Sequence, residues 1–199
     1  MTKKIIFLAS VSSFMACFFA LKPVLAVSLK LTPEQIQEAV DYGQKSRNTD
    51  VAVFSRPWTV CLEKGHGTAT LFTPYLNVAY KAKKTAVERR EFTGKDIAQA
   101  LEIGDLLTFS VTVYGDEYDF PMHYTARIYQ KDEVVHPDFE FTPKIADASE
   151  FWPESPSHSA RMVFKFPVKH IDLESPIKFV VVAPGGEETP FEFDLSKLK

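Results

Sequence analysis

The segment TVCLEKGHGTATLF (residues 59–72) contains Cys61 and, five positions later, His66 between two glycines. A cysteine thiolate beside a histidine base is the basis of thiol catalysis. Alternating side chains over 58–62 predict a strand, and 64–67 predicts a four-residue turn in which Cys61 pairs with Thr70. His66 then lies at the hairpin tip, roughly 10 Å or more from Cys61 and too far to activate it. We therefore expect Cys61 to pack beneath a helix, as free cysteines are commonly buried.

A second set of reactive side chains consists of carboxylates in the loops of the C-terminal half. If the predicted strand at 106–114 runs upward, simple alternation sends loops 115–121, 142–160 and 184–188 to one end of the molecule, named here the upper end. Calcium takes about six to eight oxygen ligands, which loop carboxylates can supply. No EF-hand spacing is present, and ordinary solvated loops are the alternative. The candidate calcium ligands are Asp116, Glu117, Asp119, Asp147 and Glu150.

The longest of these loops, ADASEFWPESPSHSA, contains two adjacent aromatic residues in a polar setting, Phe151 and Trp152. Long loops within compact domains are often functional, so both residues are candidate ligand-binding residues. Trp152 can fold back as a clasp over the end of the fold, or it can present a stacking surface to a sugar or a peptide. We expect the clasp, because burying an indole contributes a few kcal/mol.

Other catalytic signatures are missing from the sequence. The five histidines show no HExxH pattern or close ligand spacing, and there is no GxSxG, Walker loop or dinucleotide-binding glycine pattern. Serine hydrolase, nucleotide-binding and Rossmann chemistry therefore lose support. Enzymes that use a pair of carboxylates leave no short signature, so an envelope hydrolase using paired carboxylates or the thiol of Cys61 stays as an alternative.

Three threonines mark the starts of the helices that precede these loops. Thr32, Thr73 and Thr93 each come before a stretch of helical periodicity. The pattern predicts helices over about 33–44, 74–90 and 95–102. The buried positions expected in the second helix are Leu76, Ala79, Tyr80 and Val87. With the hairpin near Cys61, these three short helices make up the N-terminal part of the fold, residues 27–104.

From residue 106 onward the hydrophobic period is two, and turns recur every eight to twelve residues or so. We count six strands, including one from Met122 to Tyr129 and one over 134–141. Alternation with one apolar face indicates antiparallel sheets. The expected fold is α+β, with the N-terminal part packed on a C-terminal antiparallel β-sandwich over 105–199, immunoglobulin-like or similar. Residues 27–199 are expected to form one domain.

The first 26 residues predict an export signal. Lys3 and Lys4 precede an apolar run, and small residues end at Ala26. The run is slightly long, so an uncleaved anchor and a lipoprotein using Cys17 are the alternatives; after cleavage no transmembrane segment is expected. The whole chain has 23 Lys and Arg against 26 Asp and Glu, a net charge of −3. With no dense basic patch, nucleic-acid binding is not expected.

These observations predict an exported, periplasmic or secreted protein of the cell envelope. Its expected function is that of a non-catalytic binding or structural module. The loops at the upper end would contact a protein or glycan partner, with calcium as a possible cofactor. Only Cys61 remains after residue 26, so an internal disulfide is not available to stabilise this part of the chain.

Overall fold

The computed structural model describes residues 27–102 and 104–199. Within them the chain forms an α+β fold with four α-helices and two antiparallel sheets, one of six strands and one of four. The predicted fold class is confirmed at this level. The export signal predicted over residues 1–26 lies outside the described residues. No helix within 27–102 or 104–199 is long and apolar enough to cross a membrane.

Three of the four helices begin where the capping threonines predict. They are α1 (Pro33–Lys45), α2 (Val51–Ser55), α3 (Pro74–Val87) and α4 (Gly94–Leu101). Thr32 and Gln35 form a reciprocal capping box at α1, and the Thr73 hydroxyl accepts the Leu76 N–H at α3. The sequence analysis missed the short helix α2, which follows a shorter signal: the Asp50 carboxylate accepts the Ala52 N–H at 2.8 Å.

Ten strands are present in the described residues. They are β1 (Thr59–Cys61), β2 (Thr68–Phe72), β3 (Leu106–Gly115), β4 (Thr125–Gln130), β5 (Glu133–Val135), β6 (Phe139–Phe141), β7 (Asp147–Ala148), β8 (His158–Pro167), β9 (Pro176–Val182) and β10 (Glu188–Asp194). The larger sheet has the order β1-β2-β3-β8-β6, with β7 also paired to β8, and the smaller sheet has the order β10-β9-β4-β5.

The two sheets contribute side chains to one hydrophobic cluster. Phe109 of β3 stacks on Phe179 of β9 with 4.3 Å between ring centroids, which joins the larger sheet to the smaller one. On β3 and β8 every second side chain is buried, so the polar residues between them lie on the opposite face of the larger sheet. That polar outer face is the one that bears the groove described below.

The helices form a second cluster around Trp58, Phe54 and Leu76. Gly43 of α1 lies against the carbonyl of Ala79, and a Cβ there would come within 2.9 Å of the Ala82 Cβ. The missing side chain of Gly43 therefore lets α1 and α3 pack closely. Lys83 of α3 is buried, and its ammonium donates to the carbonyls of Ser46, Arg47 and Thr49 just beyond α1.

Two of the strand predictions are wrong. The segment 134–141 is not one strand: β5 belongs to the smaller sheet and β6 to the larger one. The segment between them contains Pro137, which has no N–H for a sheet hydrogen bond. The expected strand from Met122 begins at Thr125 instead, because His123 has a φ of 67° and interrupts the extended backbone.

The pairing of the first hairpin and two helix positions also differ from expectation. Cys61 pairs with Thr68 and not with Thr70, so the connection spans residues 62–67 rather than four residues. Tyr80 and Val87 are exposed, because the buried side of α3 follows Val78, Ala82 and Thr85, and both residues lie outside it.

Candidate functional site

Two of the loops expected at the upper end are joined by hydrogen bonds. Gly115, the last residue of β3, pairs with His158, the first residue of β8. The chain therefore leaves β3 and enters β8 at the same end of the sheet. Beyond that pair, the Ser157 N–H donates to the Asp116 carboxylate at 3.0 Å, and the Ala146 N–H donates to the Tyr118 carbonyl at 2.7 Å.

The turn between β9 and β10 also approaches this end. Val182, the last residue of β9, pairs with both Thr125 and Glu188. Burial raises the pKa of Tyr124, and the nearby charge of Glu187 raises that pKa further. The structure thus brings segments 116–124, 146–157 and 183–187 to one end of the sheets.

The β1–β2 connection is a fourth component, which the sequence analysis did not place there. Thr68 pairs with Thr112 near the top of β3, so the connection projects from the upper end. The Lys64 ammonium lies 4.7 Å from the centre of the Phe151 ring. A Cβ at Gly65, whose φ is 80°, would contact Pro156 at 3.2 Å. The proximity of this connection to the Phe151 loop depends on the register of β2 against β3, which the sequence analysis did not predict.

Phe151 and Trp152 differ in their surroundings. Phe151 is half-buried and packs against Tyr114 with 5.7 Å between ring centroids. Trp152 is 60% exposed, and its ring is roughly perpendicular to that of His158, with 5.5 Å between the ring centroids. The expected clasp by Trp152 is therefore wrong: the adjacent Phe151 makes that contact, and the indole faces solvent. Ser149 supports the loop, since its hydroxyl donates to the Pro156 carbonyl and accepts the Phe151 N–H.

Three further apolar side chains are exposed on the same loops. Tyr118 is 60% exposed, Ile145 is 66% exposed and Met122 is 37% exposed. With Trp152 they form what we name the loop apolar set. The sequence analysis identified none of the three as exposed, and it placed Met122 at the start of a strand. The sequence does contain a signal for such residues: each is a large apolar residue within a predicted loop or next to one.

The five candidate calcium ligands are on the upper-end loops but are not gathered into a metal site. The Asp116 carboxylate already accepts hydrogen bonds from Ser155 Oγ and the Ser157 N–H. Glu117, Asp147 and Glu150 are exposed, and Asp119 is partly exposed. In the part of the chain that the structure describes, no group of three or more His, Cys, Asp or Glu side chains could hold a metal ion. The calcium site stays a prediction.

Cys61 is a free thiol on the exposed edge of the larger sheet. The expectation that Cys61 is buried beneath a helix is wrong: β1 is the edge strand and Cys61 is exposed, although residues of α2 line the same cavity. Burial raises the pKa of the Tyr114 hydroxyl, and the charges of Glu150 and Cys61 contribute to the rise. Tyr114 is thus placed close enough to both groups to be influenced by them.

No protein-family model matches the chain, and no curated protein sequence matches it. Among solved structures, the fold is similar to a protein from Burkholderia pseudomallei K96243 described as a novel protein of unknown function. The two chains share 14% sequence identity with a TM-score of 0.43, and the similarity covers 85% of this chain and 99% of the other.

Proposed function

We propose that the protein is an exported, non-catalytic binding module of the cell envelope. In this proposal the two sheets act as a β-sandwich scaffold, and the loops at its upper end contact a protein or glycan partner. The observation that carries the proposal is the exposure of Trp152, which is 60% accessible on a loop that is otherwise held to the sheet. The predicted export signal over residues 1–26 is the basis for proposing that the protein is in the periplasm or outside the cell.

The loop apolar set supports a contact surface at this place. Leaving a tryptophan, a tyrosine, an isoleucine and a methionine in water forfeits the free energy that their burial would contribute. Exposed aromatic residues among polar neighbours are typical of interaction sites, where tryptophan and tyrosine often contribute most of the binding free energy. Trp152 and Tyr118 are therefore the residues expected to contribute most to binding.

The hydrogen bonds that hold the upper-end loops in place support a role in binding. Asp116 accepts from Ser155 and Ser157, and Ser149 links the two sides of the loop that carries Trp152. A loop fixed before binding loses less conformational entropy when a partner docks, so more of the contact free energy appears as affinity. None of these hydrogen bonds uses the Trp152 side chain, and the indole is 60% exposed.

The test is co-sedimentation of the purified protein with cell-envelope fractions of the organism that encodes it. Wild type is expected to sediment with the envelope, and Trp152→Ala is expected to bind roughly tenfold or more weakly. Val53→Ala is the matched control, because Val53 is 65% exposed on α2, away from the loops. Equal binding of wild type and Trp152→Ala would contradict the proposal.

The same assay distinguishes the two classes of partner. Stacking of a sugar ring on an indole and docking of a peptide both use the apolar face of Trp152. Treatment of the envelope with protease removes a protein partner, whereas periodate oxidation destroys the vicinal diols of a glycan. Loss of binding after one treatment and not the other identifies the class.

The calcium version of the proposal has its own test. Calcium held by Asp116, Glu117, Asp119, Asp147 and Glu150 would draw the upper-end loops together and stabilise the folded state. Titration with calcium should then raise the melting temperature and change the fluorescence of Trp152. Unchanged signals at millimolar calcium would remove the metal from the proposal and leave the aromatic contact untouched.

A thiol hydrolase is the second candidate, favoured by the exposure of Cys61. The thiol lines a cavity of about 410 Å³ that also contains Arg56 and Arg161. If Cys61 acts as a nucleophile, the protein should hydrolyse p-nitrophenyl acetate with a burst, and Cys61→Ser should abolish the burst. Hydrolysis at the same rate in wild type and Cys61→Ser would dispose of this candidate.

A further inference from the structure

We infer that the outer face of the larger sheet bears a second binding site, for a small polyhydroxylated anion anchored on Arg161. Two cavities of about 400 and 410 Å³ lie side by side on this face and share Phe72 and Arg161 as lining residues. Small-molecule sites typically have volumes of about 300 to 1,000 Å³. Together the cavities form what we name the outer groove, which does not include the loop apolar set.

Strand alternation places the polar side chains of the outer groove. On β3, Thr108 and Ser110 flank the fully buried Phe109, so their hydroxyls lie on the outer face. On β8, Arg161 and Lys165 lie on that face for the same reason, because Met162 and Phe164 between them are fully buried. The helices α3 and α4 supply the opposite wall of the first cavity, through Asn77, Gln99 and Glu102.

Arg161 is oriented for a ligand by one hydrogen bond. Its side chain is exposed, and its Nε donates to Ser110 Oγ at 2.8 Å, which holds one edge of the guanidinium against β3. Its two terminal nitrogens make no hydrogen bond, and its charge has no carboxylate partner, within residues 27–102 and 104–199. A guanidinium presents parallel N–H groups that match a carboxylate or a phosphate. The two terminal nitrogens of Arg161 are therefore the anchor for an anionic group.

Asn77 adds an independent observation in the same cavity. Its Nδ2 is buried and has no hydrogen-bond partner among the described residues. A buried donor left without an acceptor destabilises the folded state, and nearly all such groups in folded proteins have a partner. Asn77 lines the cavity, so a turn of its side chain that brings Nδ2 to the cavity would let a ligand oxygen accept the missing hydrogen bond.

The charges along the outer groove favour an anion at its centre. Lys165 lies at one end, over the ring of Phe139 at 5.1 Å, and Arg56 lines the other cavity. The acidic lining residues are Glu102 and Asp50, and the Asp50 carboxylate already accepts the Ala52 N–H. The three basic lining residues therefore outnumber the two acidic ones. Arg161 is the basic residue that lines both cavities.

The walls indicate that the rest of the ligand carries hydroxyl groups. Gln99 and the hydroxyls of Thr108 and Thr68 can donate to and accept from sugar hydroxyls. Phe72, shared by both cavities, offers an apolar face for the C–H side of a sugar ring. A sugar acid and a sugar phosphate share this chemistry, and they are distinguished by experiment.

The experiment is calorimetric titration of the purified protein with D-glucuronate, D-glucose 6-phosphate and D-glucose. We expect at least one of the two anions to bind and the neutral sugar not to bind; the anion that binds more tightly identifies the anionic group. Arg161→Gln should weaken binding roughly tenfold or more, because it removes a charge-assisted pair. Asn77→Ala should also weaken it.

Two controls separate this site from other surfaces. Arg127→Gln makes the same change on β4 of the smaller sheet and should retain wild-type affinity. Trp152→Ala should also retain it, so failure of the upper-end proposal leaves this one standing. Absence of binding by both anions, equal binding of D-glucose, or wild-type affinity in Arg161→Gln or Asn77→Ala would overturn the proposal.

Discussion

Phe151 and Trp152 are adjacent in the sequence, yet their side chains have different surroundings. Phe151 packs against Tyr114 and beneath the Lys64 ammonium, while Trp152 faces solvent. The sequence analysis identified the pair as functional candidates but chose the wrong one for the packing contact. Both residues are large and apolar, and only the path of the loop, fixed by Ser149, decides which side chain turns inward.

This difference predicts that two alanine substitutions affect stability unequally. Phe151→Ala should lower the free energy of unfolding by about 2 kcal/mol, less than a fully buried phenylalanine because the ring is half-exposed. Trp152→Ala should change it by less than about 0.5 kcal/mol. Urea denaturation measures both values. A larger loss of stability in Trp152→Ala than in Phe151→Ala would mean that the indole is the clasp.

Asp172 gives a prediction about acid stability. The Ser175 hydroxyl, the Glu174 N–H and the Lys131 ammonium lower its pKa from 3.8 to about 2. Because the carboxylate is favoured in the folded state, its contribution to stability is complete above about pH 3.8 and is lost as the pH falls toward 2. The stability difference between wild type and Asp172→Asn should therefore narrow over this range in urea titrations.

A matched variant tests the cause of that pKa. Ser175 makes the first contribution through a hydrogen bond of 2.6 Å from its hydroxyl to the Asp172 carboxylate. Ser175→Ala should raise the pKa of Asp172 toward its ordinary value, as followed by NMR of the carboxyl carbon. A stability difference that is constant with pH, or a pKa that does not move in Ser175→Ala, would contradict the assignment.

At the scale of elements, local signals predicted the helices well. The caps at Thr32, Thr73 and Thr93 act within one turn of the chain, so three of the four helix starts could be predicted from neighbouring residues. The contacts of Lys83 could not be predicted this way. Its partners lie 34 to 37 residues earlier in the chain, and a lysine in a helix is ordinarily solvated.

The packing of α1 on α3 predicts the effect of adding one methyl group. Gly43→Ala would place a Cβ against the Ala79 carbonyl and within 2.9 Å of the Lys83 backbone nitrogen. Overpacking against backbone should destabilise the fold by about 2 kcal/mol, after the higher helix propensity of alanine is included. Thermal unfolding followed by circular dichroism measures the loss.

Gly185 provides the matched control for that substitution. A Cβ at Gly185 meets nothing within 4 Å, and the residue does not have a positive φ. Gly185→Ala should therefore leave the melting temperature nearly unchanged. If Gly43→Ala is as stable as Gly185→Ala, the close approach of α1 and α3 is not a feature of the protein in solution.

For the whole molecule, the sequence predicted antiparallel strands but not their distribution between sheets. A period of two shows that one face of a strand is apolar, and both sheets satisfy that pattern. The sequence pattern of segment 134–141 therefore predicts one strand, although β5 and β6 belong to different sheets. The meeting of the β1–β2 connection with the Phe151 loop depends on strand register, which the hairpin sequence alone did not reveal.

The C-terminal residue connects the two parts of the fold. The Lys199 carbonyl accepts hydrogen bonds from Trp58 Nε1 at 2.9 Å and Thr73 Oγ1 at 2.6 Å, and both donors belong to the helical part. Because only a 3-10 helix over Leu195–Lys197 and Leu198 separate β10 from this residue, we expect the helices and sheets to unfold together as the single predicted domain. Calorimetry should give one transition with equal calorimetric and van't Hoff enthalpies; two transitions would divide the chain into separate units.

The most direct measurement for the central claim is the fluorescence of Trp152 alone, in a Trp58→Phe variant whose fold is checked by circular dichroism. With the indole 60% exposed, its emission should be that of a solvated tryptophan and readily quenched by acrylamide. Addition of the envelope fraction should shift the emission to shorter wavelength and protect it from the quencher. Emission that is already protected in the free protein, or unchanged by the envelope, would contradict the proposed contact surface.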